Sequence, residues 1–387
     1  MSGGLRVLLV GGPMYDPLYG RLKEFEEGNG IEVEAVVASD HPDLNRRIGE
    51  EFGSGGARYD LVSTHTKYAP SQVQWLTPLD DDLDASDLEP FSARPLELAR
   101  IDGGLYGLPR NLDVKLLLYR TDLLDDQPSS WEDLRETAAR LRSENLYGFA
   151  FPGKESGLFG HFFELHAMAG GEMFGGEGPP APRMDDEAGR WALGLLADLY
   201  ENAAPKETPD WHYDEVAACF REGRAAMSTD WPGGFYTYVD PEDSAVADRF
   251  DVALYPEGSA GRHVYSSSHS FAIPKGVRDR PAAVELLRFL ASRESQAFEA
   301  RLGTLPARGD ALRDARSEAE PGSLAERRWG LLERAQESAL IPPKHPKYPA
   351  VEDAIWRGLR EVFVGKKGVD EALRDTEKAA GLAARGG

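Results

Sequence analysis

At 387 residues the chain is longer than one hydrophobic core usually serves, so two lobes or domains are expected. Its 41% apolar and 28% charged residues are those of a globular chain and exclude a disordered one. The 66 acidic against 44 basic residues leave a formal charge of −22, which argues against binding along nucleic acid or an anionic membrane, and no basic patch overrides it.

The opening MSGGLRVLLVGG lacks a basic n-region, a long apolar h-region and a small-residue cleavage site. No stretch approaches the roughly 18 apolar residues of a membrane span. Residues 5 to 10, LRVLLV, form a nearly continuous apolar run, as a strand covered on both faces does. A glycine-rich turn follows. Leu18, Leu22 and Phe25 then recur at helical spacing, Gly28 and Gly30 punctuate the end, and IEVEAVV alternates apolar with acidic residues. Leu44, Ile48 and Phe52 give a second helical stripe and YDLVSTHT a third strand, so about the first 65 residues predict βαβαβ around a parallel sheet. Ligands of such sheets sit beyond the carboxyl ends of the strands.

Further along, PLDDDLDASDLEPF predicts an acidic surface loop, and IDGGLYGLPRNLDVKLLLYRTDLL, with its Gly-Gly turn and alternating strands, a crossover rather than a core. Ser130 with Asp133 has the pattern of a capping box, opening a helix with Leu134, Ala138 and Leu141 on one face. Ala188, Trp191, Ala192, Leu195, Leu196 and Leu199 make an amphipathic stripe that puts Trp191 in the core. EGPPAPRMD predicts a Pro-rich loop. Strand signals return at FDVALYP and HSFAIP, followed by a helix with Val284, Leu287 and Leu290 on one side and a helical tail with a break near Gly365. No internal repeat or low-complexity segment is present.

Several motifs invite chemistry and fail on spacing. In HFFELH the histidines are five residues apart, about 140° around a helix, whereas H-E-x-x-H places them on one face, so no metal site is expected. LLVGGPMYD and GGEMFGGEG match neither nucleotide-binding glycine pattern, and no cofactor is expected. SSSHS has no G-x-S-x-G elbow to hold a nucleophilic serine. A glycosidase needs two carboxylates across a cleft, and a glycan-active hydrolase is the enzyme alternative. Cys219, the one cysteine, is expected as a small core residue.

The order of LKEFEEGNGIEVEAV, RYDLVSTHT, DGGLYGLPRNLDVKLLLYRTDLL, PSSWEDLRETAARL, FREGRAAMSTDWPGG, FAIPKGVRDRPAAVELLRFLASRESQ and GTLPAR resembles the extracellular solute-binding proteins of ABC importers, the family of maltose-type and other sugar-binding proteins. The resemblance covers nearly the whole chain. It implies an α/β, two-lobed type II periplasmic-binding-protein fold. The first lobe would take residues 1–112 and 272–312, and the second 113–271 and 313–387, with hinge crossovers and a ligand cleft. It implies hinge closure on a carbohydrate, delivery to the transmembrane permease subunits, a monomer, and no catalytic machinery. Export and a lipid anchor are expected, with the leader removed; a cytosolic ligand sensor of the same fold is the other alternative. The loop YSSSHS departs from the glycines and aromatics that sugar binders often carry there.

The resemblance points to the residues ending the first lobe's strands: Tyr15, then Asp40 and His41, then His65, Thr66 and Lys67. His41 and Lys67 read equally as solvated loop residues. At the crossover stand Arg110, Asn111 and Asp113, the last either ordering the hinge or touching ligand. Ser267, Ser268, His269 and Arg308 are further candidates, and His161 is expected to line the cleft. EVAACFREGRAAMSTDW predicts a helix ending near Gly223, a short buried strand and then a turn in which Pro232 ends the ladder and Gly233 permits close approach of backbone to ligand. Trp231 would there present its indole to the C–H face of a sugar, or else pack the turn.

Overall fold

The computed structural model describes residues 4–53, 58–175 and 178–386. Gly176 and Glu177, within two of the loops read above, lie outside that set. Two units emerge: 1–113, 232–235 and 267–319 form the first, and 114–231, 236–266 and 320–387 the second. The passage of 232–235 into the first unit is not part of the sequence expectation.

In the first unit the apolar run becomes the strand Leu5–Val10, and its period of two sorts its side chains onto two faces. Leu5, Val7 and Leu9 join one buried cluster with Leu22, Phe25 and the helix Arg280–Leu290. Leu8 and Val10 join another with Leu44, Ile48 and Phe52 of the helix His41–Gly53. Helices therefore cover both faces, which is why the strand reads as continuously apolar. The sheet order is Val33–Ala38, Leu5–Val10, Leu61–His65, His269–Ala272, Leu108–Pro109. The first three are parallel, as the βαβαβ pattern predicts, and His269–Ala272 enters antiparallel beside Leu61–His65. The turn after Val10 needs its glycines. A Cβ on Gly11 would come within 2.6 Å of Val37 Cγ1, and Gly12 has φ +131°.

Two surface expectations change. The acidic loop is tied down by arginines: Asp80 pairs with Arg100, Asp82 with Arg280 and Asp87 with Arg288. The stretch read as a crossover is also core, because Leu105, Leu108, Leu112, Val114 and Leu117 are all buried.

The second unit's sheet runs Phe250–Ala253, Leu116–Arg120, Ala225–Asp230, Tyr147–Ala150. The helix Trp131–Leu141 starts as expected, with Ser130 Oγ accepting from the Asp133 N–H at 3.1 Å, but Asp133 reaches back to the Ser129 N–H rather than completing the box on Ser130. Glu187–Asn202 buries Ala192, Leu195, Leu196 and Leu199, while Trp191 is half-buried and donates its indole N–H to Glu132. That corrects its reading as a core residue: at the margin of the stripe an indole finds a polar partner. Glu155–Met168 is buried on all sides, with Phe159 and Tyr348 packed edge to face at 6.0 Å against the helix Tyr348–Phe363. Cys219 is buried, and burial pushes its thiol up to about 11. No helix among the described residues is long and apolar enough to cross a membrane.

Candidate functional site

The carboxyl ends of the parallel strands bring the first unit's polar residues to one place. Tyr15 follows Leu5–Val10, His41 follows Val33–Ala38, and His65 ends Leu61–His65. His269 opens its antiparallel strand directly opposite His65, so a residue from far along the chain joins them. Ring centroids lie 4.7 Å apart for His65 and His269, 4.9 Å for His41 and His269, and 5.3 Å for His41 and His65. The Tyr15 hydroxyl is 3.2 Å from Nε2 of both His41 and His269. Asp113 Oδ2 lies 3.1 Å from His269 Nε2.

A hydrogen-bonded frame holds this cluster. Asn111 Nδ2 donates to Asp113 Oδ1 at 2.8 Å, and Asn111 Oδ1 accepts from the His269 N–H at 3.1 Å. Ser268 Oγ donates to the Asn111 carbonyl at 2.7 Å, and Thr66 Oγ1 accepts from the Ser268 N–H at 3.0 Å. His65 Nδ1 accepts from the Lys67 N–H at 3.1 Å. Burial, followed by the fields of His269, His41 and Lys67, holds His65 well below the ordinary imidazole range, so it is neutral at pH 7. Lys67 Nζ lies 4.9 Å from the centroid of the Tyr68 ring.

Arg110, 2% exposed, anchors the frame from below. Its Nε donates to Glu299 Oε1 at 2.8 Å, and its Nη2 donates to the Tyr15 carbonyl at 3.1 Å and also to Glu299. Thus Tyr15, His41, His65, Thr66, Arg110, Asn111, Asp113, Ser268 and His269 come together, with Lys67 beside them. Asp40 is exposed and caps the helix His41–Gly53, accepting from the Asp43 N–H at 2.8 Å. Arg308 is held by Asp310 and lies 5.2 Å from the Phe91 ring centroid. Ser267 is buried at the end of its strand. Gly233 lies against Met14, where a Cβ would meet the Met14 Cε at 2.6 Å.

In the second unit Trp231 is half-buried at the end of Ala225–Asp230, edge to face with Tyr213 at 5.5 Å and Tyr265 at 5.9 Å. Lys115 Nζ sits 5.3 Å from the Trp231 ring centroid and 2.9 Å from Glu164 Oε2. Glu164 Oε1 accepts from the Tyr265 N–H at 2.7 Å. His161 is fully buried, with Nδ1 3.0 Å from the Gly157 carbonyl and Nε2 2.9 Å from Thr229 Oγ1, so both ring nitrogens serve the interior of this unit. Its helix is buried on all sides, and His161 lies apart from the first unit's polar cluster in sequence and unit. Lys115, Glu164, Tyr213 and Tyr265 escaped the sequence reading. Lys115 alone had a signal: one lysine inside the apolar run DVKLLLY requires a buried partner.

The model of the bacterial extracellular solute-binding protein family matches residues 11–297. The chain belongs to that family. As a solute-binding protein it is 26% identical over 332 residues to a probable amino-acid ABC transporter periplasmic-binding protein of Sinorhizobium fredii, covering 80% of this chain and 74% of the relative. It is 21% identical over 356 residues to the maltotriose-binding protein of Pyrococcus abyssi, covering 89% and 72%. Among solved structures, maltose-bound MalE3 of T. maritima matches with a TM-score of 0.88 at 23% identity, covering 97% of this chain and 99% of that one. The fold is the α/β type II periplasmic-binding-protein fold that the motif order implies.

Proposed function

We propose that this chain is the substrate-binding component of an ABC importer for a carbohydrate or polyol, binding it reversibly without turnover and delivering it to the transmembrane permease subunits. The two units are the lobes of that reading, and the passages of the chain between them, at 113–114, 231–232, 235–236, 266–267 and 319–320, are its hinge. One observation carries the ligand class. The buried cations Arg110 and Lys115 each have a carboxylate of their own unit, Glu299 and Glu164, which leaves imidazole, amide and hydroxyl groups with the Asp113 carboxylate in one unit and the Trp231 indole in the other. Such groups suit a neutral polyhydroxylated molecule, whose C–H face stacks on an aromatic ring while its hydroxyls find hydrogen bonds. An amino acid would call for a cation or a set of backbone N–H groups to take its carboxylate, and the two buried cations are already paired.

The relatives' names divide between amino acid and sugar, and a thermal-shift screen separates them, since a ligand of the native state raises the melting temperature by mass action. Sugars or polyols are expected to raise it, and a shift by amino acids alone overturns the ligand class. Trp231→Ala is expected to weaken binding by about 2 kcal/mol, roughly thirtyfold. Calorimetry that finds unchanged affinity with a large fall in melting temperature makes Trp231 a packing residue. Recovery of a cleaved glycan after incubation makes the protein a hydrolase. The same reading makes it a monomer, exported and lipid-anchored outside the cytoplasmic membrane.

A further inference from the structure

No motif in the sequence announces a metal site, yet the fold gathers metal-ligand chemistry from three distant places in the chain. One donor atom from each of His65, Asp113 and His269 lies within 4.8 Å of the other two, and all three side chains are buried. His65 arrives at the end of a strand, His269 opposite it on the antiparallel neighbour, and Asp113 through its amide partner Asn111. A fourth oxygen, the Tyr15 hydroxyl, is 3.2 Å from His269 Nε2. The arrangement is independent of the proposed sugar contacts in the second unit.

We propose that His65, Asp113 and His269 bind a divalent first-row transition-metal ion of the zinc class, with the Tyr15 hydroxyl or a water in the fourth position. Two imidazoles and a carboxylate form a donor set that such ions take, as against the all-oxygen sets of calcium and magnesium. Zinc–ligand bonds of about 2.0–2.2 Å put neighbouring donors of a tetrahedral site about 3.3 Å apart. The 3.1 Å between His269 Nε2 and Asp113 Oδ2 is already near that spacing. The wider limit on the third donor means that His65 must rotate toward the ion and release the Lys67 N–H if it binds through Nδ1.

The convergence itself favours an ion: two imidazoles and a carboxylate from three distant segments are buried within 4.8 Å of one another. The Asn111 amide, donating to Asp113 Oδ1 and accepting from the His269 N–H, would orient two of the ligands, as outer partners of metal sites do.

The test begins with the whole protein stripped by a chelator and titrated with Zn²⁺ in a calorimeter, with Co²⁺ as a spectroscopic probe. Saturable uptake of one ion, with intense visible cobalt bands of low coordination number and X-ray absorption showing two imidazole ligands, is expected. His65→Asn and His269→Asn should each weaken uptake a hundredfold or more, while His263→Gln, outside the cluster, should leave it unchanged. Failure to bind one equivalent at about 100 µM zinc overturns the proposal. So does uptake that survives both cluster substitutions, or an absorption spectrum with fewer than two imidazoles. The spectra of the unmodified protein decide the matter if a variant does not fold. Zinc binding with no response to any sugar leaves this inference standing and overturns only the carbohydrate reading.

Discussion

Arg110 with Glu299 in the first unit and Lys115 with Glu164 in the second are both ion pairs with almost no exposure, but the two cations respond differently to burial. At Arg110 burial opposes the charge, yet Glu299, Tyr19 and Tyr15 more than offset it, and the guanidinium's pKa moves up. At Lys115 burial outweighs Glu164, and the ammonium's pKa moves down. Burial raises both glutamates. A guanidinium spreads its charge over a fork of donors and stays protonated, whereas an ammonium is a compact, strongly hydrated charge that gives up its proton when buried. The first pair is therefore a permanent electrostatic lock under the histidine cluster. The second can lose its charge where it stands, beside Trp231.

The largest effect that tests this contrast is expected from Glu299→Leu, which strands a guanidinium that cannot neutralise itself. We expect a loss of about 3–5 kcal/mol in denaturant unfolding, unchanged between pH 7 and 10. Glu164→Leu strands the lysine instead, and about 3 kcal/mol is expected at pH 7. Here the folded-state pKa of Lys115 lies below its unfolded value. Stability is thus lost as pH falls through the folded pKa and present above the unfolded one, so the variant should recover as pH rises toward 10. Equal pH profiles for the two variants would end the distinction.

A third carboxyl sharpens it from the acid side. Burial raises Asp230 to about 7, against hydrogen bonds from Tyr238 and the Trp231 N–H, with Asp214 adding to the shift and Arg328 opposing it. A folded pKa above the unfolded 3.8 means a contribution that is present below pH 4 and lost as pH rises through 7. Asp230→Asn should remove that slope and be more stable than the parent at pH 8 by about 2 kcal/mol, as thermal melts from pH 4 to 8 would read. The smallest effect is expected at a neutral group. Ser130→Ala removes the cap of Trp131–Leu141 and should cost about 1 kcal/mol at every pH.

Periodicity made most of the fold legible. LRVLLV, the Leu44–Phe52 stripe and the Val284–Leu290 stripe became the strand and the two helices they predict, because one local pattern decides each. The strand-end rule also anticipated that Tyr15, His41 and His65 gather near the ends of their strands. What stayed hidden depends on pairing across the chain. Nothing near Arg110 names Glu299, and nothing in HSFAIP says that its histidine will lie opposite His65. HFFELH hides its partners for a related reason: spacing on one helix argues against a shared ion there, but says nothing of Thr229 and Asp186, which lie beside His161 and His166.

The burial of Glu155–Met168 also has a temporal side. Its cover includes Tyr348, and Phe151 lies 6.2 Å from Phe363, so part of this unit's core comes from a stretch made long after that helix. Roughly 180 residues separate Met168 from Tyr348, and at about 5–20 residues per second they take roughly 10 to 35 s to make. For that interval the most apolar helix of the unit is synthesised without its cover. A nascent chain halted before Tyr348 should therefore hold this segment open to proteases and chaperones, and emergence of Tyr348–Phe363 should close it in one cooperative step.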